Sequence, residues 1–195
     1  MAAISPKKIA GKWTSGYALD IHTISSTHLG LNEYGHDVFD TKRSELGELL
    51  YRLKYNSDKS AATEIVEAAF KFVKPSVNKF DLIVPVPPSG IRVVQPVILL
   101  AQGLGEALGL PVAECVTTTR AATALKGVMD LEIRRKLLDG LYAVDPAQTK
   151  GKSILLFDDL FRSGATMNAI TEVLMGQGKA ASVRALTITR TRSTQ

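Results

Sequence analysis

Residues 154–174 read ILLFDDLFRSGATMNAITEVL. A run of apolar residues ends in two adjacent carboxylates, Asp158 and Asp159, and a short Ser/Gly/Thr loop then opens a helix. A helix N-terminus offers unpaired backbone N–H groups and the positive end of a dipole. Gly164 permits positive φ and lets a ligand approach the backbone, and the hydroxyls of Ser163 and Thr166 can cap the helix or donate to phosphate oxygens. Taken alone, the loop is either a phosphate cup or an ordinary capped turn. The paired carboxylates narrow the choice. They repel each other and a bound phosphate, so they are either solvated helix-entry charges or need a partner such as sugar hydroxyls or a divalent cation. A ribose 5-phosphate satisfies both halves, with its phosphate on the loop and its hydroxyls on the aspartates.

Working outward, short apolar strands alternate with helices. FDLIVPV, AECVTTT, LYAV, KSILLFDD and ASVRALTIT read as strands, and QPVILLAQGLGEAL, LEIRRKLL and GATMNAITEVLMGQ as helices. Upstream, Leu46, Leu49, Leu50 and Leu53 recur at helical spacing, as do Ile65, Ala68, Ala69 and Phe72. The pattern predicts an α/β fold, a single domain with a central, mainly parallel sheet flanked by helices. Ligands in such sheets bind beyond the carboxyl ends of the strands, where the Asp pair and Pro85 to Arg92 fall. Residues 12–40 are rich in aromatic, β-branched and turn residues and predict short strands and a hairpin. The expected division is a β-rich N-terminal extension over 1–40 and the α/β domain over 41–195.

The chain has 195 residues, of which 45% are hydrophobic and 22% charged, the profile of an ordinary globular domain. No apolar run approaches the roughly 20 residues needed to span a bilayer, so no membrane association is expected. The opening MAAISPKKIAGKW has no apolar signal core, and a cytoplasmic location is the expectation. The single Cys115, in the apolar stretch PVAECVTTT, excludes an internal disulfide or a multi-cysteine zinc ribbon in this chain. A net charge of +5 favours anionic partners, but no aromatic-interleaved basic stripe marks a nucleic-acid surface.

The stretch ILLFDDLFRSGAT resembles the phosphoribosyl pyrophosphate (PRPP) signature of type I phosphoribosyltransferases: a hydrophobic strand, two acidic residues and a phosphate loop. The resemblance implies that Asp158 and Asp159 bind the ribose 2′- and 3′-hydroxyls as catalytic residues. Mg²⁺ would stand near them, directly or through those hydroxyls or water. Arg162, Ser163, Gly164, Ala165 and Thr166 would wrap the 5-phosphate, with Arg162 standing where the family usually has a small residue. LIVPVPPSGIR is placed like the family's pyrophosphate loop, whose donors would come from Val86, Ser89, Gly90 and Arg92. Within the superfamily the chain is similar to the ComF family through YRLKY, VPVP, LGLPV and the Asp-Asp corner, over roughly residues 45–190. In that family a connection before the penultimate strand closes over the reacting centre. Here it would present Arg120, Lys126, Arg134 and Arg135. Lys54 and its tyrosine neighbours match the family's KY element. The N-terminal region would be a small β-rich hood that recognises the acceptor, with Trp13, Tyr17, His22, Tyr34 and His36 as candidates.

The implied function is transfer of ribose 5-phosphate from PRPP to an unidentified nitrogenous acceptor, with release of pyrophosphate, by a Mg²⁺-dependent, homodimeric enzyme of nucleotide metabolism. Positions that depart from the ComF pattern, RVVQP after the pyrophosphate loop and Lys126 and Leu137 in the mobile segment, keep a second expectation open. That is a non-catalytic PRPP or nucleotide binder, a regulator or an accessory to DNA uptake. The competence analogy is the one link to nucleic acid. Amidotransfer would need ammonia or a partner, because no glutaminase segment is present. GKS at 151–153 is similar to the end of a P-loop but precedes a strand, and a receiver-type phosphoacceptor is missing after Asp159.

Overall fold

A computed structural model describes residues 2–88, 90, 95–120 and 131–192, without the side chains of residues 131, 132, 134 and 135. Strands β1 (Lys7–Lys8) and β2 (Ser15–Ile21) lead into a hairpin of β3 (Thr23–Leu31) and β4 (Asp37–Arg43). Helices α1 (Glu45–Tyr55) and α2 (Lys59–Val73) and a 3₁₀ segment (Lys74–Lys79) follow. Then come β5 (Leu82–Pro85), α3 (Pro96–Leu108), β6 (Val116–Thr118), α4 (Leu131–Leu138) and β7 (Tyr142–Val144). The last elements are α5 (Pro146–Thr149), β8 (Ser153–Phe161), α6 (Ala165–Gly176) and β9 (Ser182–Arg190).

The central sheet runs β1-β2-β9-β8-β5, with β2, β9, β8 and β5 parallel and only the short edge strand β1 antiparallel. Alternation along the strands sends successive side chains to opposite faces. Leu155, Phe157, Leu186 and Ile188 join one core with α1, α2 and α3. Ile154, Leu156, Val183 and Ala185 join the other with α6, β7 and Trp13. Each helix therefore closes one layer of a three-layer α/β domain.

Local signals account for the helices that matter to the site. Ser44 caps α1 through Gly47 N, acidic Glu45 and Glu48 occupy its first turn, and Arg52 and Lys54 its last, each favourable to the helix dipole. Leu46, Leu49, Leu50 and Leu53 are all buried, as their spacing requires. Gly47 is needed by contact: a Cβ there would run into the His22 carbonyl, so glycine lets α1 press against the open end of the hairpin.

Three details go beyond or alter the expected arrangement. β6 and β7 form a separate antiparallel pair instead of joining the parallel sheet. The outer side of β5 is covered by residues 111–113, through an isolated parallel bridge from Ile83 to Val112. The N-terminal β region also divides. β2 lies inside the central sheet, with Ser15 opposite Arg184, and the small hood that stands apart is the β3–β4 hairpin.

Candidate functional site

β8 carries the carboxylates to the carboxyl edge of the sheet, and it continues past them to Phe161 instead of ending at the pair. Alternation extends the β8 pattern, so the two aspartates leave on different faces. Their surroundings agree. Asp159 Oδ1 accepts a hydrogen bond from Lys54 Nζ of α1 at 2.8 Å, each side chain being 15% exposed. Asp158 lies on the side of α6 and β7, where its charge is felt by Tyr142, whose hydroxyl is hydrogen-bonded to Thr166. Asp158 also accepts from the following amide, Asp159 N, at 2.8 Å. Burial, and then the Asp159 charge, push the Asp158 carboxyl up to about 8, so it holds its proton near neutrality. Its neighbour across the sheet is Thr187, whose fully buried hydroxyl has no partner among the described residues.

The loop beyond is set by one glycine. Gly164 is left-handed, with φ 75°, and a Cβ there would sit 2.9 Å from Phe161 Cε2 and 3.6 Å from Trp13 Cη2. Backbone conformation and ring packing therefore both demand glycine. No side chain caps α6, which leaves the amides of its first turn pointing out of the helix. Arg162 and Ser163 are exposed, whereas Ala165 and Thr166 are half-buried. β5 ends alongside: Pro85 lies opposite Phe157, which brings the proline-rich turn next to the Asp corner.

A third group meets the pair from the hood. His22, at the base of the hairpin, places Nδ1 3.1 Å from Thr189 Oγ1. Burial lowers its pKa first, Lys54 and Arg43 lower it further, and Asp159 and Glu48 oppose them. Arg43 lies over the Tyr51 ring, 3.9 Å from its centroid, and bonds Glu48 at 3.3 Å.

The phosphoribosyl transferase domain family matches residues 55–195, more than half of the chain. The chain belongs to that family. Competence protein ComFC of Bacillus subtilis (strain 168) is 29% identical over 156 residues, covering 77% of this chain and 62% of that protein. The chain thus spans less than two thirds of this relative's length. An adenine phosphoribosyl transferase from Trypanosoma brucei, in complex with AMP, pyrophosphate and ribose-5-phosphate, superposes at TM-score 0.50 and 14% identity, over 94% of this chain and 73% of that one. The glutamine phosphoribosylpyrophosphate amidotransferase of B. subtilis, complexed with ADP and GMP, also reaches TM-score 0.50, at 17% identity over 81% of this chain and 35% of that one. At such identities these structures show the fold alone. The family match and these structures together give this chain a phosphoribosyl transferase domain with the fold of such enzymes, and its sequence is similar to ComFC.

Within this phosphoribosyl transferase domain the expected residues fall into three groups. Asp158, Asp159, Gly164, Ala165 and Thr166 meet at one corner. Val86 is near but differently used, because its N–H donates to Phe157 O at 2.8 Å and is committed to the sheet. Gly90 accepts from Gln95 Nε2 at 2.9 Å. Arg120 donates to the Leu137 and Asp139 carbonyls at 3.1 and 3.0 Å, closing the C-terminal end of α4. Ser89, Arg92 and Lys126, and the side chains of Arg134 and Arg135, lie outside the described residues.

The hood candidates separate sharply. Trp13 is buried against Phe161, edge to face at 6.2 Å, and its Nε1 donates to Ile9 O. Tyr17 packs edge to face on Phe72 at 5.4 Å. Both belong to the core. Tyr34 and His36 lie at the exposed hairpin tip, and His22 alone reaches the corner. Reading the sequence missed Tyr142 and Thr187, since neither carries a motif. The alternating threonines of LTIT were the one available signal for Thr187.

Among the described residues no three His, Cys, Asp or Glu side chains converge as a metal site. Asp158 and Asp159 diverge, and Lys54 already supplies the cation that Asp159 needs. These donors do not fit a protein-held Mg²⁺. Among the described residues, no helix is long and apolar enough to cross a membrane.

Proposed function

We propose that the chain binds PRPP and transfers ribose 5-phosphate to a nitrogenous acceptor, releasing pyrophosphate. The carrying observation is the juxtaposition of Asp158 and Asp159 with the uncapped first turn of α6, across a loop that only glycine can make. The exposed amides of that turn hold the 5-phosphate, assisted by Thr166. The carboxylates then take the ribose hydroxyls from two sides, Asp159 while bridged to Lys54 and Asp158 from the Tyr142–Thr166 side.

The acceptor nitrogen forms its bond to C1 as the C1–O bond breaks, and the electron pair leaves on pyrophosphate. Positive charge builds on the sugar ring, so fixed dipoles and charges around it dominate the acceleration. Asp159 stands on the side where that charge develops, and Lys54 holds it in place. Mg²⁺ belongs to this reading as an ion carried by the substrate's own phosphates. A cytoplasmic homodimer completes the proposal.

The test is pyrophosphate release from PRPP across a panel of nitrogenous acceptors. Asp159→Asn and Asp158→Asn are expected to lower turnover by roughly 10²-fold, the scale of one preorganised polar contact. Wild-type turnover in the double variant would overturn the assignment. A second reading, a non-catalytic PRPP or nucleotide binder with a regulatory or competence role, is favoured by the Val86 amide being committed to the sheet and Arg120 to α4. Stabilisation by PRPP with no release on any acceptor would select it.

A further inference from the structure

We propose that the outer edge of β3 pairs antiparallel with the same edge of a second copy of this chain, making a four-stranded sheet, β4-β3-β3-β4, across the two copies. The inference names the contact surface for the homodimer of the proposed function and does not depend on the transfer chemistry.

The hairpin is the least covered part of the molecule. Among the described residues nine large hydrophobic side chains are exposed, and six of them, Ile24, Leu29, Leu31, Tyr34, Val38 and Phe39, belong to this arm. Both of its faces are open. His28 and Phe39, opposite each other in the register, are exposed, and so are Thr27 and Asp40, the next pair along, which face the other way. A two-stranded hairpin with neither face packed is marginally stable in water, whereas three or more strands with an apolar face can hold. The arm therefore calls for added strands.

Its two edges differ. β4, DVFDTKR, carries Asp37, Asp40, Lys42 and Arg43, and charges of this kind keep other chains off an edge strand. β3, TISSTHLGL, has no Asp, Glu, Lys, Arg or Pro. Its titratable group, His28, is tied across the hairpin, with Nε2 2.8 Å from Asp37 Oδ1 and its ring 5.1 Å from that of Phe39. At the base, Ile24 O accepts from Arg192 Nη1 at 2.8 Å. Further out, among the described residues, β3 pairs with no strand except β4. The open edge from Ser25 to Leu31 is about 20 Å long at roughly 3.3 Å per residue.

A second copy is the occupant that meets all of these conditions. Two copies related by a two-fold axis bring their β3 strands together antiparallel, and an uncharged strand opposes no like charge when it faces itself. Only the charged β4 edges are then left outside, so the assembly closes at two. A single strand from another protein would leave a fresh open edge instead. Two chains of net charge +5 repel at long range, and the arm, with no Lys or Arg between residues 24 and 41, is where that repulsion is weakest. Residues 23–43 also match the scale of a standard interface, about 20–30 residues a side.

Sedimentation velocity on the full chain without ligand, from micromolar to hundred-micromolar protein, is expected to show a monomer–dimer equilibrium that goes no further. Leu29→Lys combined with Leu31→Lys sets like charges along the shared edge and is expected to raise the dissociation constant ten-fold or more. Met175→Lys, at an exposed residue of α6, is expected to leave it within two-fold. Amide hydrogen exchange from Ser25 to Leu31 is expected to slow at least ten-fold from the dilute to the concentrated wild-type sample. A monomer throughout that range overturns the proposal and leaves the edge to a strand of another protein. Growth past two copies, or a dimer that the two lysines leave unchanged, overturns it as well. Should the double variant fail to fold, the wild-type exchange decides, and amides that ignore protein concentration sink the pairing. A dimer through this edge with no calorimetric heat from PRPP would keep the interface and sink the transfer reading, and a monomer that turns PRPP over would do the reverse.

Discussion

Asp158 and Asp159 are neighbours in sequence, yet they inhabit different chemistry. Asp158 is set against α6 and β7, its proton retained by burial and by the adjacent charge. Asp159 is set against α1, bridged to Lys54 and close enough to His22 for its charge to act on that ring. The pleat of one strand is enough to separate them. A pair that reads as one acidic patch is a carboxyl with a raised pKa and an ion pair back to back, and in the proposed function these are two distinct handles for the sugar.

The largest expected effect breaks the Asp158 side. Gly164→Val imposes a left-handed residue and drives a side chain into Phe161 beside Trp13. The penalties for handedness and overpacking together amount to roughly 2–5 kcal/mol, read by urea unfolding. Loss of well under 1 kcal/mol would show that the loop is not held by that ring.

Next come the two carboxylates compared directly at pH 7. Asp159→Asn leaves the sheltered Lys54 ammonium without its carboxylate and is expected to cost about 1–3 kcal/mol. Adding Lys54→Met should restore part of that, because no uncompensated charge is then left behind. Asp158→Asn replaces a carboxyl that is already protonated and is expected to cost less. Equal losses would erase the distinction between the faces.

The pH dependence sharpens it further. Below the ordinary value of 3.8 both folded and unfolded states carry the Asp158 proton, and between there and about 8 only the folded state does. Stability from this group is therefore fully present in acid, falls as pH rises through that window, and is level above it. Asp158→Asn should flatten the slope, by at most about 1.4 kcal/mol per pH unit. The smallest effect has the opposite sign. His22 is held below its usual 6.5, so the unfolded chain takes the proton first, and stability is lost as pH falls through 6.5. Unfolding midpoints of His22→Gln at pH 7 and pH 5 should show that loss removed.

The corner was legible because its signals are local. An apolar run, an acidic pair and a glycine-bearing loop before a helix each constrain a few consecutive residues, and LEIRRKLL became α4 over the same residues. Helices α1 and α2 followed from leucine and alanine spacing. What escaped depends on residues far apart in the chain. Lys54 was matched to a family element, but its partner on β8 is a product of tertiary packing. Trp13 was weighed as a ligand-stacking residue, and the buried contact with Phe161 claims it for the core. Val86 offered an amide to a ligand on paper, and the neighbouring strand takes it. The pairing of β2 with β9 has no local signature, because a parallel strand from the far end of the sequence supplies the other half of every hydrogen bond.

That pairing governs how the molecule comes into being. β9 stands between β2 and β8, with Ser15 opposite Arg184 and Asp158 opposite Thr187. As the ribosome makes the chain, the early strand must wait, exposed or loosely held, until the late one emerges to divide the two halves of the sheet. Until then the sheet that sets His22 and Lys54 beside Asp159 lacks its middle strand. On the proposed function, the ligand site is therefore expected to be completed late, once β9 has joined the two halves of the sheet.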